Sequence, residues 1–454
     1  MNINKILITI AVSSIFVMLF ISNVKVGFAL SFVLLVLPVY WIVSDRFSEK
    51  QMLFFFIFFQ PMIPRLWGIQ IAAGIPVITA VRILTVIYVI YLLRKKVLFK
   101  YYRDFFKAGI FTFPIMLIVF SLLVSSFFSA NFTSSIFFFG SFLVEYLIIP
   151  VAIFSVCKRN EDINVLVRVI CYTSLFVLFL GFFERFTQYN FYNIFGTFLK
   201  ESGEVSNVTR SGGLRIRGAA DHPIALGAYY ALVFPFILYY LRDKFFLRTA
   251  SLVLFFTVIT FTDSRAGQVG FIIVFIIYYF IVERHRWVYC LFMPVPFASG
   301  SFRYRLQTLS PFFKGDAVLE ASTIARSAQF NFMLPLIQNN LVFGHGMVSP
   351  PALMRTVKTY ASTVDNFYLY FTWLYGLMGL FSWTLLMLYA LIKPILYLRM
   401  KVFQEHLLIL IISGVIAFCV INSVVADLTF HFMFWIYIGI ITRILYNHIN
   451  GINE

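Results

Sequence analysis

Apolar runs of close to 20 residues, separated by short polar connections, recur along the whole 454-residue chain. A helical run of that length matches the hydrocarbon thickness of a bilayer, and inside a bilayer every backbone polar group must be satisfied within the span. The pattern predicts spans near 5–22, 26–43, 51–63, 71–93, 108–128, 136–156, 164–183, 223–241, 246–262, 267–282, 287–300, 366–392, 405–421 and 428–446. Segment 51–63, ended by Pro61 and Pro64, is short for a crossing, so the expectation is 12 to 14 spans. The fold class is all-α: a polytopic transmembrane helical bundle forming one domain over 1–454. The first run, Ile6 to Ile21, has the look of a signal peptide. No small-x-small cleavage pattern follows it and the next run begins at Val26, so it is read as a retained first span.

Orientation comes from lysine and arginine in the short connections. The stretches 94-RKKVLFKYYRDFFK-107, 242-RDKFFLR-248 and 283-ERHR-286, and the connection with Lys393, Arg399 and Lys401, fall on one side if the helices alternate. That side is read as cytoplasmic and holds both termini. The turns at 129–135 and 422–427 on the other side carry no lysine or arginine. Two long polar segments, 184–222 and 301–365, also fall on that outer side, and loops of such length are commonly functional.

Composition agrees with a membrane protein: 61% of residues are hydrophobic, 12% are charged and the mean hydropathy is +0.90. The formal charge of +17 raises a nucleic-acid partner, but the cations lie in short clusters between apolar runs, so they are read as topology signals and no nucleic acid is expected. Cys157, Cys171, Cys290 and Cys419 all lie in or beside apolar segments without CxxC spacing, which argues against a disulfide framework and a zinc site.

Against that background 261-FTDSRAGQVGF-271 stands out, because Arg265 sits in a short outer turn where the topology rule disfavours it. A bland reading pairs it with Asp263 at the interface. The two outer loops add Arg210, Arg215, Arg217, Arg303, Arg305, Arg326 and Arg355. Arginine's planar fork fits phosphate oxygens two at a time, so an arginine-rich outer surface suggests a diphosphate at headgroup level. Part of the set is equally explained by pairing with Glu201, Glu204, Asp316 and Glu320. Three further stretches join it. In 215-RIRGAADHPIALGAYYALVFPF-236 two arginines lead through His222 into a helix start, a position that attracts anions. In 335-PLIQNNLVFGHGM-347 a Gly344-His345-Gly346 turn leaves an imidazole accessible, and in 363-TVDNFYLYFTWLYGLMGL-380 Asp365 and Asn366 precede a helix as cap candidates.

In this order the four stretches resemble the O-antigen polymerase and O-antigen ligase superfamily of bacterial membrane glycosyltransferases. The resemblance rests on Arg215, Gly218, Pro223 and Gly227; then Thr262, Ser264, Arg265 and Gly267; then Gly344 and Gly346; then Asn366, Tyr368, Leu369, Gly376, Gly379 and Leu380. It covers roughly the second half of the chain. The ligase pattern has a histidine where this chain has Asp365, and Asp-Asn-x-Tyr-Leu looks more like the polymerase branch.

The resemblance implies a GT-C-like architecture and transfer of a glycan from an undecaprenyl-diphosphate carrier to a sugar hydroxyl on the periplasmic face of the inner membrane, with no metal or other cofactor. The partners it implies are the lipid-linked donor, the glycan acceptor, membrane lipid and, as a candidate, a chain-length regulator. Arginines would stabilise the leaving diphosphate and a base would take the acceptor proton. Arg265 with Arg217 and Arg215 is assigned to the diphosphate, and Asp365 or His345 to the acceptor. His222, Arg303, Arg305, Arg326 and Asn366 complete the expected substrate contacts. A ligase acting on lipid A core, or a capsule or exopolysaccharide polymerase, is the nearest rival. A lipid-linked oligosaccharide flippase is the rival of another class, and would carry more ionisable residues inside its spans than Glu145, Arg168 and His431. A non-catalytic lipid-binding scaffold is the third.

Overall fold

A computed structural model describes residues 47–63, 68–69, 78–190, 192, 209–210, 213–220, 222–282, 317–347, 364, 366–398, 405–423 and 432–452. Thirteen helices lie in these stretches: α1 Glu49–Phe59, α2 Ala80–Arg94, α3 Leu98–Lys107, α4 Thr112–Phe127, α5 Phe132–Val156, α6 Asn160–Thr187, α7 Pro223–Tyr240, α8 Phe245–Phe261, α9 Arg265–Val282, α10 Ala317–Gln338, α11 Phe367–Leu398, α12 Glu405–Asn422 and α13 Phe432–Ile449. Two-residue antiparallel pairs join Gly68–Ile69 to Ile78–Thr79 and Thr209–Arg210 to Gly213–Leu214.

Among the described residues seven helices, α5, α6, α7, α9, α11, α12 and α13, are long and apolar enough to cross a membrane, and α4 and α8 are shorter apolar helices. The chain is a multi-pass membrane protein. The expected spans 5–22, 26–43 and 287–300 lie outside the described residues.

Several boundaries differ from the sequence reading. Helix α1 has 11 residues, a rise of about 17 Å, which falls short of the hydrocarbon core. Helix α2 begins at Ala80 instead of residue 71, where Thr79 Oγ1 accepts the Arg82 N–H at 3.2 Å and fixes the start. The basic connection 94–107 is largely helical, because Leu98, Tyr101, Tyr102 and Phe105 form one face that packs on α5. The segment 301–365, expected as an outer loop, contains α10, and α6 continues to Thr187 before Gln188 closes it in the left-handed conformation.

The core is built around α7, which is buried along nearly its full length against α6, α8, α9 and α12. Small residues let α9 come close: a Cβ on Gly227 would sit 2.7 Å from Ser264 Cβ, and one on Gly267 would sit 2.7 Å from the Gly227 carbonyl carbon. Such contacts replace hydrophobic driving force between helices in lipid. Tyr230 Oη donates to Val177 O at 2.9 Å, tying α7 to α6.

The second layer pairs α13 with the second half of α5, and α11 with α4 and α12. Helix α5 contains a π-helical stretch at Phe142–Leu147 that carries Glu145, whose carboxylate accepts from Arg82 Nε at 2.7 Å. At the α5–α6 turn Arg443 Nη2 and Asn447 Nδ2 donate to Lys158 O at 2.7 and 3.2 Å, and Lys50 meets Asp162 at 2.6 Å. Helix α6, about 42 Å long by its 28 residues, runs from this turn to the opposite end of the bundle.

Candidate active site

At that opposite end the two arginine stretches meet. Thr262 caps the end of helix α8, Asp263 takes a left-handed φ of 56°, and Ser264 caps α9 by accepting the Gly267 N–H at 3.1 Å. Aspartate tolerates that conformation better than most residues, so two helices reverse within three residues. Arg265 is the first residue of α9 and is half-buried.

Arg215 spans the gap. Arg215 is 7% exposed, and its guanidinium donates from Nε to Thr262 O at 2.9 Å and from Nη2 to Asp263 O at 3.3 Å. The Ile216 N–H donates to Phe261 O at 3.2 Å, so the chain lies along the end of α8. A charged donor on these carbonyls is worth about 1.5–3 kcal/mol each, enough to hold the turn's shape.

The next two residues are held from the other side. Glu184, in the last turn of α6 and 3% exposed, accepts the Gly218 N–H at 2.7 Å and the Arg217 N–H at 3.2 and 3.3 Å. Asn190 Nδ2 donates to the same carboxylate at 2.9 Å and to Gly218 O at 3.0 Å. Arg217 itself is half-buried. His222 is exposed and caps α7, its Nδ1 accepting the Ile224 N–H at 3.2 Å. Two helix N-termini, those of α7 and α9, therefore open close to Arg217 and Arg265, and both favour anions.

His345 belongs to a second region. Helix α11 is broken at Gly376, which has φ 66° and ψ −170°. The break frees carbonyls of Trp373 and Leu374, which accept the N–H groups of His345 and Gly346 at 2.9 and 2.8 Å. It also frees the N–H groups of Leu377 and Met378, which donate to Leu341 and Val342 at 2.8 and 3.2 Å. The 341–346 turn thus replaces the missing helical bonds, the condition for irregular backbone inside a membrane protein. Only glycine fits the junction, since a Cβ on Gly376 would lie 2.2 Å from Val342 O and one on Gly344 would lie 2.5 Å from Gly376 N.

The His345 ring stacks on Trp373 with centroids 3.8 Å apart and planes 11° from parallel, and its Nδ1 lies 3.4 Å from Trp373 O. Burial pushes its pKa below the ordinary imidazole value, opposed by the Trp373 carbonyl. A neutral, half-exposed imidazole near neutral pH is suited to accept a proton.

Asn366 supplies the cap of α11, its Oδ1 accepting the Leu369 N–H at 3.0 Å, while Nδ2 donates to Ser423 O at 3.0 Å. Asp365, Arg303 and Arg305 lie outside the described residues, and Arg326 lies on α10 with its side chain outside the description. The described part of the candidate site therefore splits in two. Arg215, Arg217, His222 and the Arg265 turn gather at the α7–α9 crossing, and His345 sits in the break of α11. Helix α12 packs against both regions: Ile421 lies against Gly270 of α9, and Ser423, just past the end of α12, accepts the Asn366 bond. Among the described residues no group of three or more His, Cys, Asp or Glu comes together to hold a metal ion.

Sequence reasoning missed Glu184, Asn190 and Trp373. A carboxylate closing an apolar run was the one available signal for Glu184; its backbone partners, Arg217 and Gly218, come more than 30 residues later.

Residues 250–384 match the family model described as O-antigen ligase, a segment that contains Arg265, His345 and Asn366. The match supports the O-antigen polymerase and ligase superfamily, whose members are glycosyltransferase-like membrane enzymes. No curated protein matches the chain.

Proposed function

From the O-antigen ligase family match over 250–384, we propose that this chain is a glycosyltransferase that polymerises undecaprenyl-diphosphate-linked repeat units on the periplasmic face of the bacterial inner membrane. In this reading the bundle has 12 to 14 spans in a GT-C-like arrangement, both termini are cytoplasmic, and segments 184–222 and 301–365 are periplasmic loops. The observation that carries it is the Arg215 clamp, which joins the 215–218 stretch to the 262–265 turn. Arg217 and Arg265 then flank two helix N-termini, a setting for a diphosphate that needs no metal ion.

The acceptor hydroxyl loses its proton to His345 or Asp365 and its oxygen attacks the anomeric carbon. The bond from that carbon to the diphosphate breaks, and the charge developing on the leaving oxygens is held by Arg265 and Arg217. Arg215, turned onto two carbonyls, acts by holding the turn. His222, Arg303, Arg305, Arg326 and Asn366 are assigned to flanking phosphate and glycan contacts. A chain-length regulator is a candidate partner.

The family matched, O-antigen ligase, favours a second reading, one transfer of finished glycan to lipid A core. Purified protein given lipid-linked repeat units with and without lipid A core separates the two. Products that lengthen on the carrier support polymerisation; a single transfer to the core supports ligation. Absence of any transfer overturns both and favours a transporter.

A further inference from the structure

A strongly charged surface lies at the other end of the bundle. Residues 94–107 hold six cations, Arg94, Lys95, Lys96, Lys100, Arg103 and Lys107, against the single carboxylate of Asp104. Helix α3 within this stretch is held flat on the protein by one face. Tyr101 Oη bonds to Glu49, Tyr102 Oη donates to Leu143 O at 2.9 Å, and Phe105 meets Phe154 edge-on with centroids 5.8 Å apart. Phe154 is three residues from the α5–α6 turn, and α6 carries Glu184 at its far end, so α3 lies opposite the α7–α9 crossing.

The other face is turned outward. At 100° per residue Lys100, Arg103 and Lys107 fall within an arc of about 60°. All three are exposed, and Arg103 has Asp104 3.5 Å away. Phe99 and Phe106 occupy the adjoining arc, with Phe99 78% exposed. A row of cations bordered by an exposed aromatic, on a helix packed against the membrane span α5, matches a helix lying in the interface plane. A soluble anion would leave the aromatic edge in water, whereas a lipid takes both the cations and the phenyl ring.

We infer that α3 with Lys96, Lys100, Arg103 and Lys107 is a docking surface for anionic phospholipid headgroups, with Phe99 entering the acyl boundary. The surface is separate from the glycan site and stands whether or not the catalytic reading does. It acts by charge complementarity, so its preference for anionic lipid fades with salt.

The test uses the full chain purified in mild non-ionic detergent and mixed with equal amounts of phosphatidylglycerol and phosphatidylcholine. Lipid retained through size-exclusion chromatography is counted by mass spectrometry. The expected result is a preference for phosphatidylglycerol of about tenfold, given several juxtamembrane cations. Lys100→Gln with Arg103→Gln and Lys107→Gln should abolish it, and raising ionic strength from about 0.1 M to about 1 M should do the same to the unaltered protein. Removing three other cations, by Arg242→Gln with Lys244→Gln and Lys393→Gln, should leave it intact. Equal retention of the two lipids, a preference insensitive to salt, or equal loss in both triple variants would overturn the inference. The salt series needs no variant, so misfolding of the substituted proteins does not shelter the idea.

Discussion

The α7–α9 crossing and the break in α11 meet the same physical demand in opposite ways. Both leave helix-terminal backbone groups inside a membrane protein, where water is scarce. At the crossing those groups are satisfied by charged side chains: Arg215 donates to two carbonyls and Glu184 accepts from two N–H groups. At the break they are satisfied by another stretch of backbone, the 341–346 turn, through four hydrogen bonds. Side-chain solutions can be adjusted residue by residue; backbone solutions depend on the absence of Cβ atoms. The crossing should thus degrade by degrees under substitution, and the break should fail abruptly.

The largest expected effect is at Gly376. Alanine there meets Val342 O and must hold a positive φ, so a loss of about 3 kcal/mol or more is expected, seen as depleted full-length protein in membranes. If Gly376→Ala proves milder than the arginine changes below, the contrast between the regions is lost.

Glu184→Ala comes next. It strands the Gly218 and Arg217 N–H groups, at about 1–3 kcal/mol for each N–H left unpaired, and leaves Asn190 Nδ2 only Gly218 O, while Glu184→Gln keeps an acceptor oxygen and should recover part of the loss. Thermal unfolding in detergent reads the order Ala below Gln below unaltered protein; equal losses for both variants would deny the carboxylate its role. Arg215→Met should cost about 2 kcal/mol and Arg215→Lys less, because lysine can reach one carbonyl but cannot fork to two.

The smallest effect concerns His345 and pH. Its folded pKa lies below the unfolded value, so the unfolded chain binds the proton more readily. The stability it contributes is complete above the unfolded pKa of about 6.5 and is lost as pH falls from there towards the lower folded pKa. Unfolding midpoints measured from pH 7.5 down to about 5 should fall less steeply for His345→Phe, which keeps the stacking on Trp373 but cannot titrate.

Much of this architecture was legible in the sequence. Apolar runs located α4 to α9 and α11 to α13 within a few residues, because the bilayer ties span length to helix rise. Helices α3 and α10 were read as connections, since one is ten residues of alternating aromatic and basic character and the other carries Pro335 within a long polar segment. At the site the Thr262–Gly267 turn and the Gly344–Gly346 turn were recognisable as motifs, yet their partners were not. Glu184 lies 34 residues from Gly218 and Gly376 lies 30 or more from the turn it receives, and no local pattern reports such pairings. Arg215 was read as a phosphate ligand, while in the structure its fork faces protein carbonyls.

The most direct test of the central claim is the glycan banding pattern from cells whose chromosomal copy carries Arg265→Lys, with membrane protein levels checked. Lysine keeps the charge and removes the fork, so the account predicts collapse of the ladder to a single repeat at unchanged protein level. A full ladder at that level would contradict it and leave Arg265 as an interfacial anchor.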